Sequence, residues 1–296
     1  MTDQQQRSVG YGFLLGTIGM CMFALTLPMT HLALPYFDPL FIGFGRSVVA
    51  APLAGILLLL FANRIPTRNQ FKSLLIVASG VVIGFPMLSA YAMQTVPASH
   101  GGVVLGFLPL ATACFAVIYG SERPAMWFWL IGLIGAILVT TFSLSENSGQ
   151  LVWGDLLLFI AVLIAALGYA FGGFLSKQMP GWQVICWALV ISGPITLPMA
   201  FAFRPETIAD VSWSGGLSFF YLALFSQLIG FFFWYEGLAV GGVARVSQVQ
   251  LLQPFVTIFA SMLLLFEPLK ASTLIFAALV VGCVFASRYA RITDVK

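Results

Sequence analysis

The sequence predicts an all-α membrane protein of about ten transmembrane helices, and three observations support this class. Hydrophobic residues make up 60% of the 296 residues and charged residues 8%, and the mean hydropathy is +1.01. Apolar stretches of about 20 residues follow one another along the chain, which is the length that a helix needs to cross roughly 30 Å of hydrocarbon. The alternation of apolar and polar residues that marks a transmembrane β-barrel does not occur.

Charged residues, prolines and polar clusters separate these apolar stretches and define the spans in order. The first five predicted spans are Val9–Leu34, Pro39–Ala62, Phe71–Gln94, Ser99–Gly120 and Pro124–Phe142. The next five are Leu151–Ser176, Trp182–Phe203, Ser214–Val240, Val246–Phe266 and Ser272–Arg288. Each stretch is long enough to cross the membrane as a helix, or nearly so, and helices satisfy their own backbone hydrogen bonds there.

The basic residues fall on alternate loops, and this pattern predicts the orientation of the chain. With a cytoplasmic N-terminus, ten of the thirteen Lys and Arg residues lie on inner loops and tails: Arg7, Arg64, Arg68, Lys72, Arg123, Lys177, Arg245, Arg288, Arg291 and Lys296. Arg204 and Lys270 then lie outside, and Arg46 lies within a span. Because cationic loops resist translocation, we expect both termini in the cytoplasm.

Several classes of function are disfavoured by what the spans contain. The net charge of +3 follows from the inner loops, and no basic stripe indicates a nucleic-acid partner. The four cysteines fall within spans without metal-ligand spacing, so we expect neither a metal site nor a cofactor. No convergent nucleophile or acid and base pair indicates an intramembrane enzyme.

The two halves of the chain resemble each other. An offset of 145 residues aligns Pro109 with Pro254 and Glu122 with Glu267, and an offset of 144 aligns Tyr91 with Tyr235. The halves, residues 1–145 and 146–296, hold five spans each. Since five is odd, the second half enters the membrane in the opposite orientation, as in transporters built from inverted repeats with substrate near the midplane.

In both halves an internal proline is followed by a helix-ending Glu-x-Pro or Glu-Pro, and this pattern resembles the EamA-type repeat of the drug/metabolite transporter superfamily. The resemblance covers essentially the whole chain and is greatest to the aromatic amino-acid exporter type. It implies a bacterial inner-membrane exporter of neutral, aromatic or other apolar amino acids, functional as a monomer in the lipid bilayer. Export of other apolar metabolites or drugs is the alternative, and a non-transporting receptor also remains open.

Three prolines mark expected kinks or gates. Pro109 and Pro254 lie near the middle of their spans, and proline removes the bond to the carbonyl four residues back. The carbonyls of Leu105 and Gln250 are therefore expected to be free for a substrate ammonium group. Pro86 is a third kink candidate. The alternative is that these prolines only shape helix packing.

The predicted substrate-binding residues are polar or aromatic side chains within or at the ends of spans: Arg46, Tyr91, Tyr169, Trp187, Tyr235, Gln250, Gln253 and Thr257. Gln250 and Thr257 belong to a polar stripe at helical spacing around Pro254. The alternatives are that this stripe joins helices and that the aromatic residues sit at the membrane interface. Arg46 could bind a carboxylate, pair with Asp38 or extend its side chain to the outer surface.

Overall fold

A computed structural model describes residues 3–62, 65–119, 122–124, 126–146, 151–207, 211–241, 246–287 and 292–294. Over these residues the first half forms five helices: α1 (Asp3–Ala24 and Thr26–Ala33), α2 (Pro39–Phe61), α3 (Arg68–Ala92), α4 (Ala98–Leu105 and Leu108–Tyr119) and α5 (Met126–Glu146). The second half forms five more: α6 (Trp153–Leu175), α7 (Gly181–Ala202), α8 (Trp213–Gly241), α9 (Ser247–Leu252 and Gln253–Leu265) and α10 (Ala271–Ser287).

These helices confirm the predicted class and the ten predicted spans. Seven of the described helical segments are long and apolar enough to cross a membrane, and the apolar parts of α5, α9 and α10 are shorter. The chain is therefore a multi-pass membrane protein. Its described strands are two three-residue segments, β1 (Glu122–Pro124) and β2 (Ile292–Asp294), which pair antiparallel. This short ribbon joins the connection after α4 to the C-terminal segment.

Helix breaks occur at equivalent places in the two halves. The middle of α3 is a π-helix over Ala78–Gly84, and the middle of α8 is a π-helix over Leu222–Ile229. Their first residues are 144 positions apart. In α4 a new helix begins at Leu108, and in α9 one begins at Gln253, which is 145 positions later. The offsets that related the two halves in sequence therefore also relate their irregular backbone.

The packing of the helices has the symmetry expected of two exchanged halves. Helix α1 of the first half corresponds to α6 of the second half, and α3 corresponds to α8. Helix α1 packs along α8, and correspondingly α6 packs along α3. Helices α2 and α7 pack against each other, as do α4 and α9, and α5 and α10. Because short connections join the five helices of each half, these pairings fit two five-helix repeats of opposite orientation.

The second of the two repeated glutamates, Glu267, has a structural role. The carboxylate of Glu267, just after α9, accepts hydrogen bonds from the backbone N–H groups of Ala98 at 2.9 Å and Ser99 at 3.0 Å. These N–H groups begin α4, where Pro97 offers no capping side chain. A negative charge is stabilising at a helix N-terminus. The second half therefore caps a helix of the first.

Close helix crossings depend on glycine. A side-chain carbon at Gly12 in α1 would lie 2.6 Å from the backbone of Gly241 in α8, and one at Gly80 in α3 would lie 2.7 Å from the carbonyl oxygen of Ile164 in α6. Small residues allow this approach, which supplies the packing energy between membrane helices. Both crossings therefore form within one molecule.

We expect Gly12→Ala to destabilise the protein by about 1–3 kcal/mol, because overpacking a close contact forces the two backbones apart. Gly10→Ala is the matched control, since Gly10 lies in the same helix and a side-chain carbon added there would meet no atom within 4 Å. The measurement is the midpoint of thermal unfolding of the purified protein. Equal midpoints for the two variants would contradict the crossing.

Candidate substrate cavity at the centre of the bundle

A small cavity lies at the centre of the bundle, between helices of both halves. It is lined by residues of α1, α2, α3, α4, α6, α8 and α9: Phe23, Thr26, Arg46, Val81, Phe85, Leu108, Ala165, Tyr169, Ser226, Phe231 and Gln253. Its volume is about 10 Å³, room for roughly one water molecule. The helices are therefore closed around the centre, and a larger molecule enters only when they move apart.

Arg46 brings a cation into this cavity. Its side chain is 2% exposed, and its Nε donates a hydrogen bond to Oε1 of Gln227 at 2.7 Å. Gln227 in turn donates from Nε2 to the carbonyl oxygen of Val81 at 3.2 Å, within the π-helix of α3. This chain of bonds links α2 and α3 of the first half to α8 of the second, and Arg46 lines the cavity.

Among the described residues, no carboxylate lies within ion-pairing distance of Arg46. Asp38, the partner considered from the sequence, instead caps its own helix by accepting a bond from the backbone N–H of Leu40 at 2.7 Å. The side chain of Arg46 does not reach the surface either. A buried charge without a partner is costly, so the cavity favours a ligand that carries a negative charge.

The breaks in α4 and α9 lie beside the same cavity. Leu108 begins the second part of α4 and Gln253 begins the second part of α9, and both line the cavity. The backbone N–H of Gln253 is bonded to the carbonyl oxygen of Gln250, and the next residue, Pro254, has no N–H. The breaks therefore shape the lining, and Arg46 supplies its positive charge.

Gln253 supplies a group of the opposite kind. Its Oε1 is buried and has no hydrogen-bond partner among the described residues. A buried polar atom without a partner costs free energy, typically about 1–3 kcal/mol. A ligand with an N–H donor would satisfy this acceptor.

Hydroxyl groups hold the break in α1 beside the cavity. Thr26 begins the second part of α1, and its hydroxyl lies 2.8 Å from that of Ser226 in the π-helix of α8. Thr257 of α9 donates to the carbonyl oxygen of Ala24 at 2.8 Å, just before the break. The hydroxyl of Thr257 is thus occupied by the backbone of α1 and does not line the cavity.

Aromatic rings form the apolar wall. The ring centroids of Phe23 and Phe231 are 4.7 Å apart, those of Phe23 and Tyr169 are 6.1 Å apart, and those of Tyr169 and Phe231 are 6.0 Å apart. These separations are typical of aromatic clusters. The wall adjoins the cavity that Arg46 and Gln253 also line, so one small space combines apolar, cationic and amide surfaces.

Three of the predicted binding residues line the cavity: Arg46, Tyr169 and Gln253. Other predicted residues pack around it or lie elsewhere. Tyr235 is buried, and its hydroxyl donates weakly to the carbonyl oxygen of Gly168 at 3.5 Å. Gln250 is 1% exposed and has no partner for either amide atom among the described residues. Tyr91 and Trp187 are half-buried against the core.

The prolines lie where the backbone changes. Pro109 and Pro254 are the second residues of the new helices in α4 and α9, and Pro86 is the second residue after the π-helix of α3. Proline fits the first turn of a helix because it needs no N–H bond there. The expected kinks are therefore breaks, and whether they act as gates stays a prediction. The expectation of a free carbonyl at Gln250 is wrong, because that carbonyl accepts a hydrogen bond from the backbone N–H of Gln253, three residues later.

Sequence reasoning did not identify Thr26, Ser226 and Gln227, the polar residues that complete the site. The sequence carries one signal for Gln227, since an amide in the middle of a long apolar span must find a polar partner. For the two hydroxyls no such signal exists, because Ser and Thr can bond to their own helix.

Two related five-helix halves, broken helices and a central cavity with polar groups define a membrane transporter of the inverted-repeat class. The chain matches the EamA-like transporter family over residues 10–145 and again over residues 152–288. It belongs to this family, which is part of the drug/metabolite transporter superfamily.

Individual relatives support the same assignment. An uncharacterized transporter of Bacillus subtilis, YdeK, is 44% identical over 277 residues, covering 94% of this chain and 96% of that protein. Protein PecM of Dickeya dadantii is 25% identical over 281 residues, 88% of each chain. A solved crystal structure with 16% identity superposes with a TM-score of 0.67 over 94% of this chain and 96% of that one, a likeness of fold.

Proposed function

We propose that this protein exports neutral amino acids with aromatic or other apolar side chains across a bacterial inner membrane by alternating access. The observation that carries the proposal is the composition of the central cavity. Arg46 can bind a carboxylate, the free Oε1 of Gln253 can accept from an ammonium group, and the rings of Phe23 and Phe231 can contact an apolar side chain. A zwitterion with an apolar side chain uses all three.

The scarcity of charge in the cavity supports the same substrate class. Arg46 is the charged residue in its lining, so a ligand with several negative charges, such as a sugar phosphate, would lack partners. A permanent cation would meet the uncompensated positive charge of Arg46. A ligand with one carboxylate and one ammonium group has no net charge. Its carboxylate can pair with Arg46, and its ammonium group can bond to Oε1 of Gln253.

Alternating access accounts for the small volume of the cavity. An amino acid does not fit into about 10 Å³, so binding requires α4 and α9 or their neighbours to separate toward one side of the membrane. The hydrogen bond between Glu267, just after α9, and the start of α4 either breaks in such a movement or keeps these two helix ends together while they move. With both termini in the cytoplasm, the orientation that the charges of the loops support, this hydrogen bond would lie at the outer face.

Counterflow in proteoliposomes tests the proposed function. The purified protein is reconstituted with an internal unlabelled amino acid, and uptake of a labelled panel is followed with and without a pH gradient. We expect saturable exchange of phenylalanine, tryptophan and leucine, and little exchange of phenethylamine or 3-phenylpropionate, which each lack one charged group. The absence of exchange for every amino acid would contradict the proposal.

Export of other apolar metabolites or drugs is the second candidate, because aromatic and aliphatic side chains form most of the cavity lining. The same counterflow assay separates the two functions. Uncharged aromatic compounds that compete as well as phenylalanine would favour this second function, since they use the apolar wall without needing Arg46 or Gln253.

A further inference from the structure

A second and larger space lies apart from the central cavity, at the end of the bundle that carries the start of α1. It is a crevice between α1, α2, α7 and α8 with a volume of about 650 Å³, lined by Tyr11, Leu15, Leu57, Phe61, Trp182, Ile229, Phe232, Phe233 and Glu236. It shares no residue with the central cavity. Its size lies in the range of ligand sites.

The crevice opens on the surface of the bundle, and its lining decides what fills it. Tyr11 and Phe61 at its rim are 56% and 62% exposed on the protein surface. Eight of the nine lining residues are apolar or aromatic. Water needs about two to four polar partners to be stable in a protein cavity, and this lining provides few. In a membrane, an acyl chain is the available apolar occupant.

Glu236 adds a charge to this apolar lining. It lies on α8, five residues before the helix ends at Gly241, or about 7.5 Å along the axis at a rise of 1.5 Å per residue. It is half-buried, and no hydrogen bond or ion pair to it is formed by the described residues. A carboxylate at this depth favours a positively charged partner.

The depth of Glu236 matches a lipid headgroup. Tyr11 and Trp182 line the same crevice, and Tyr and Trp favour the level of the headgroups at the membrane interface. The position of Trp182 as the second residue of α7 fits that level. A lipid whose chain lies in the crevice would therefore hold its headgroup next to the carboxylate of Glu236.

We propose that this crevice is a binding site for a phospholipid with a primary ammonium headgroup, such as phosphatidylethanolamine. One acyl chain lies against Leu15, Leu57 and Phe232, and the ammonium group pairs with Glu236. Because α1 and α2 belong to the first half and α7 and α8 to the second, the lipid connects the two halves at one membrane face. Its binding stabilises the folded protein, and the stabilisation grows with the logarithm of the lipid concentration once the site is largely filled.

Native mass spectrometry of the purified full chain tests this site. The protein is incubated in detergent with phosphatidylethanolamine, phosphatidylcholine and phosphatidylglycerol of identical acyl chains. We expect the wild type to retain phosphatidylethanolamine at least about fivefold more than either other lipid. Glu236→Gln should lose this preference and still retain lipid, whereas Glu206→Gln, at an exposed acid of a loop, should behave as the wild type.

A variant that fills the crevice tests the position of the acyl chain. Leu15→Trp should lower retention of all three lipids, and Leu57→Trp at the other wall gives the same test if the first variant does not fold. Equal retention of the three lipids by the wild type, or an unchanged preference in Glu236→Gln, would overturn the proposal. So would binding of tetraphenylphosphonium that depends on Glu236 without any retained lipid, since the crevice would then be a site for lipophilic cations.

Discussion

Arg46→Gln is expected to slow exchange of apolar amino acids by about a hundredfold to several thousandfold. Removing one partner of a buried charge pair typically costs about 3–5 kcal/mol, and each 1.4 kcal/mol is a factor of ten. Arg46 is the cation in the lining of the central cavity, so no neighbouring side chain replaces its charge. Glutamine can still bond to Gln227, which limits the effect on folding.

Three comparisons separate loss of binding from loss of structure. Arg204→Gln removes a cation from an exposed loop, where the guanidinium lies 3.8 Å from the ring centroid of Phe201, and should leave exchange unchanged. Arg46→Lys keeps the charge but not the planar set of donors, and an intermediate rate is expected. Exchange of phenethylamine, which has no carboxylate, should not fall in Arg46→Gln. Wild-type exchange of phenylalanine in that variant would exclude Arg46 from the site.

The helical architecture could be predicted because the bilayer restricts the alternatives. Only a helix satisfies its backbone within an apolar stretch of about 20 residues, so composition and the positions of charges define the spans. The predicted span Pro39–Ala62 and the observed helix Pro39–Phe61 differ by one residue. The repeat was visible for a similar reason, since Pro109 and Pro254 mark the same backbone break in both halves.

The π-helices of α3 and α8 could not be predicted from local sequence. The segments Ala78–Gly84 and Leu222–Ile229 contain no proline, and they share little sequence although they lie at equivalent positions. A π-helix weakens regular hydrogen bonding and is often found at functional sites. The carbonyl oxygen of Val81 in the first segment accepts a hydrogen bond from Gln227 in the second, and Ser226 bonds to Thr26 of α1. These contacts join residues far apart in the sequence, which no local pattern reveals.

The site was only partly predictable because membrane helices lack a clear polar face. Helices that are apolar all round give no periodic signal for the side that faces a cavity. Arg46 and Gln253 could be identified because a charge or an amide within a span requires a partner. Phe23 and Phe231 could not be distinguished from the many phenylalanines that face lipid, and Thr257 has a hydroxyl that the backbone of α1 occupies.

Gln253→Leu is expected to slow exchange of apolar amino acids by about tenfold to a hundredfold. A hydrogen bond to a charged group contributes about 1.5–3 kcal/mol, and this variant removes the buried Oε1 that we assign to the ammonium group. Exchange of 3-phenylpropionate, which lacks that group, should rise or stay the same, because leucine has no polar atom that must be satisfied. The measurement is counterflow of both compounds by the same preparation.

Gln250→Leu is the matched control for this prediction. Gln250 lies three residues earlier in α9 and is equally buried, but it does not line the cavity and neither of its amide atoms has a partner among the described residues. Replacing such a group with an apolar side chain is often neutral or stabilising, so exchange should persist and the thermal midpoint should not fall. If Gln250→Leu lost exchange and Gln253→Leu kept it, the ammonium acceptor would lie on the preceding turn of α9 and the proposed cavity would have to extend toward it.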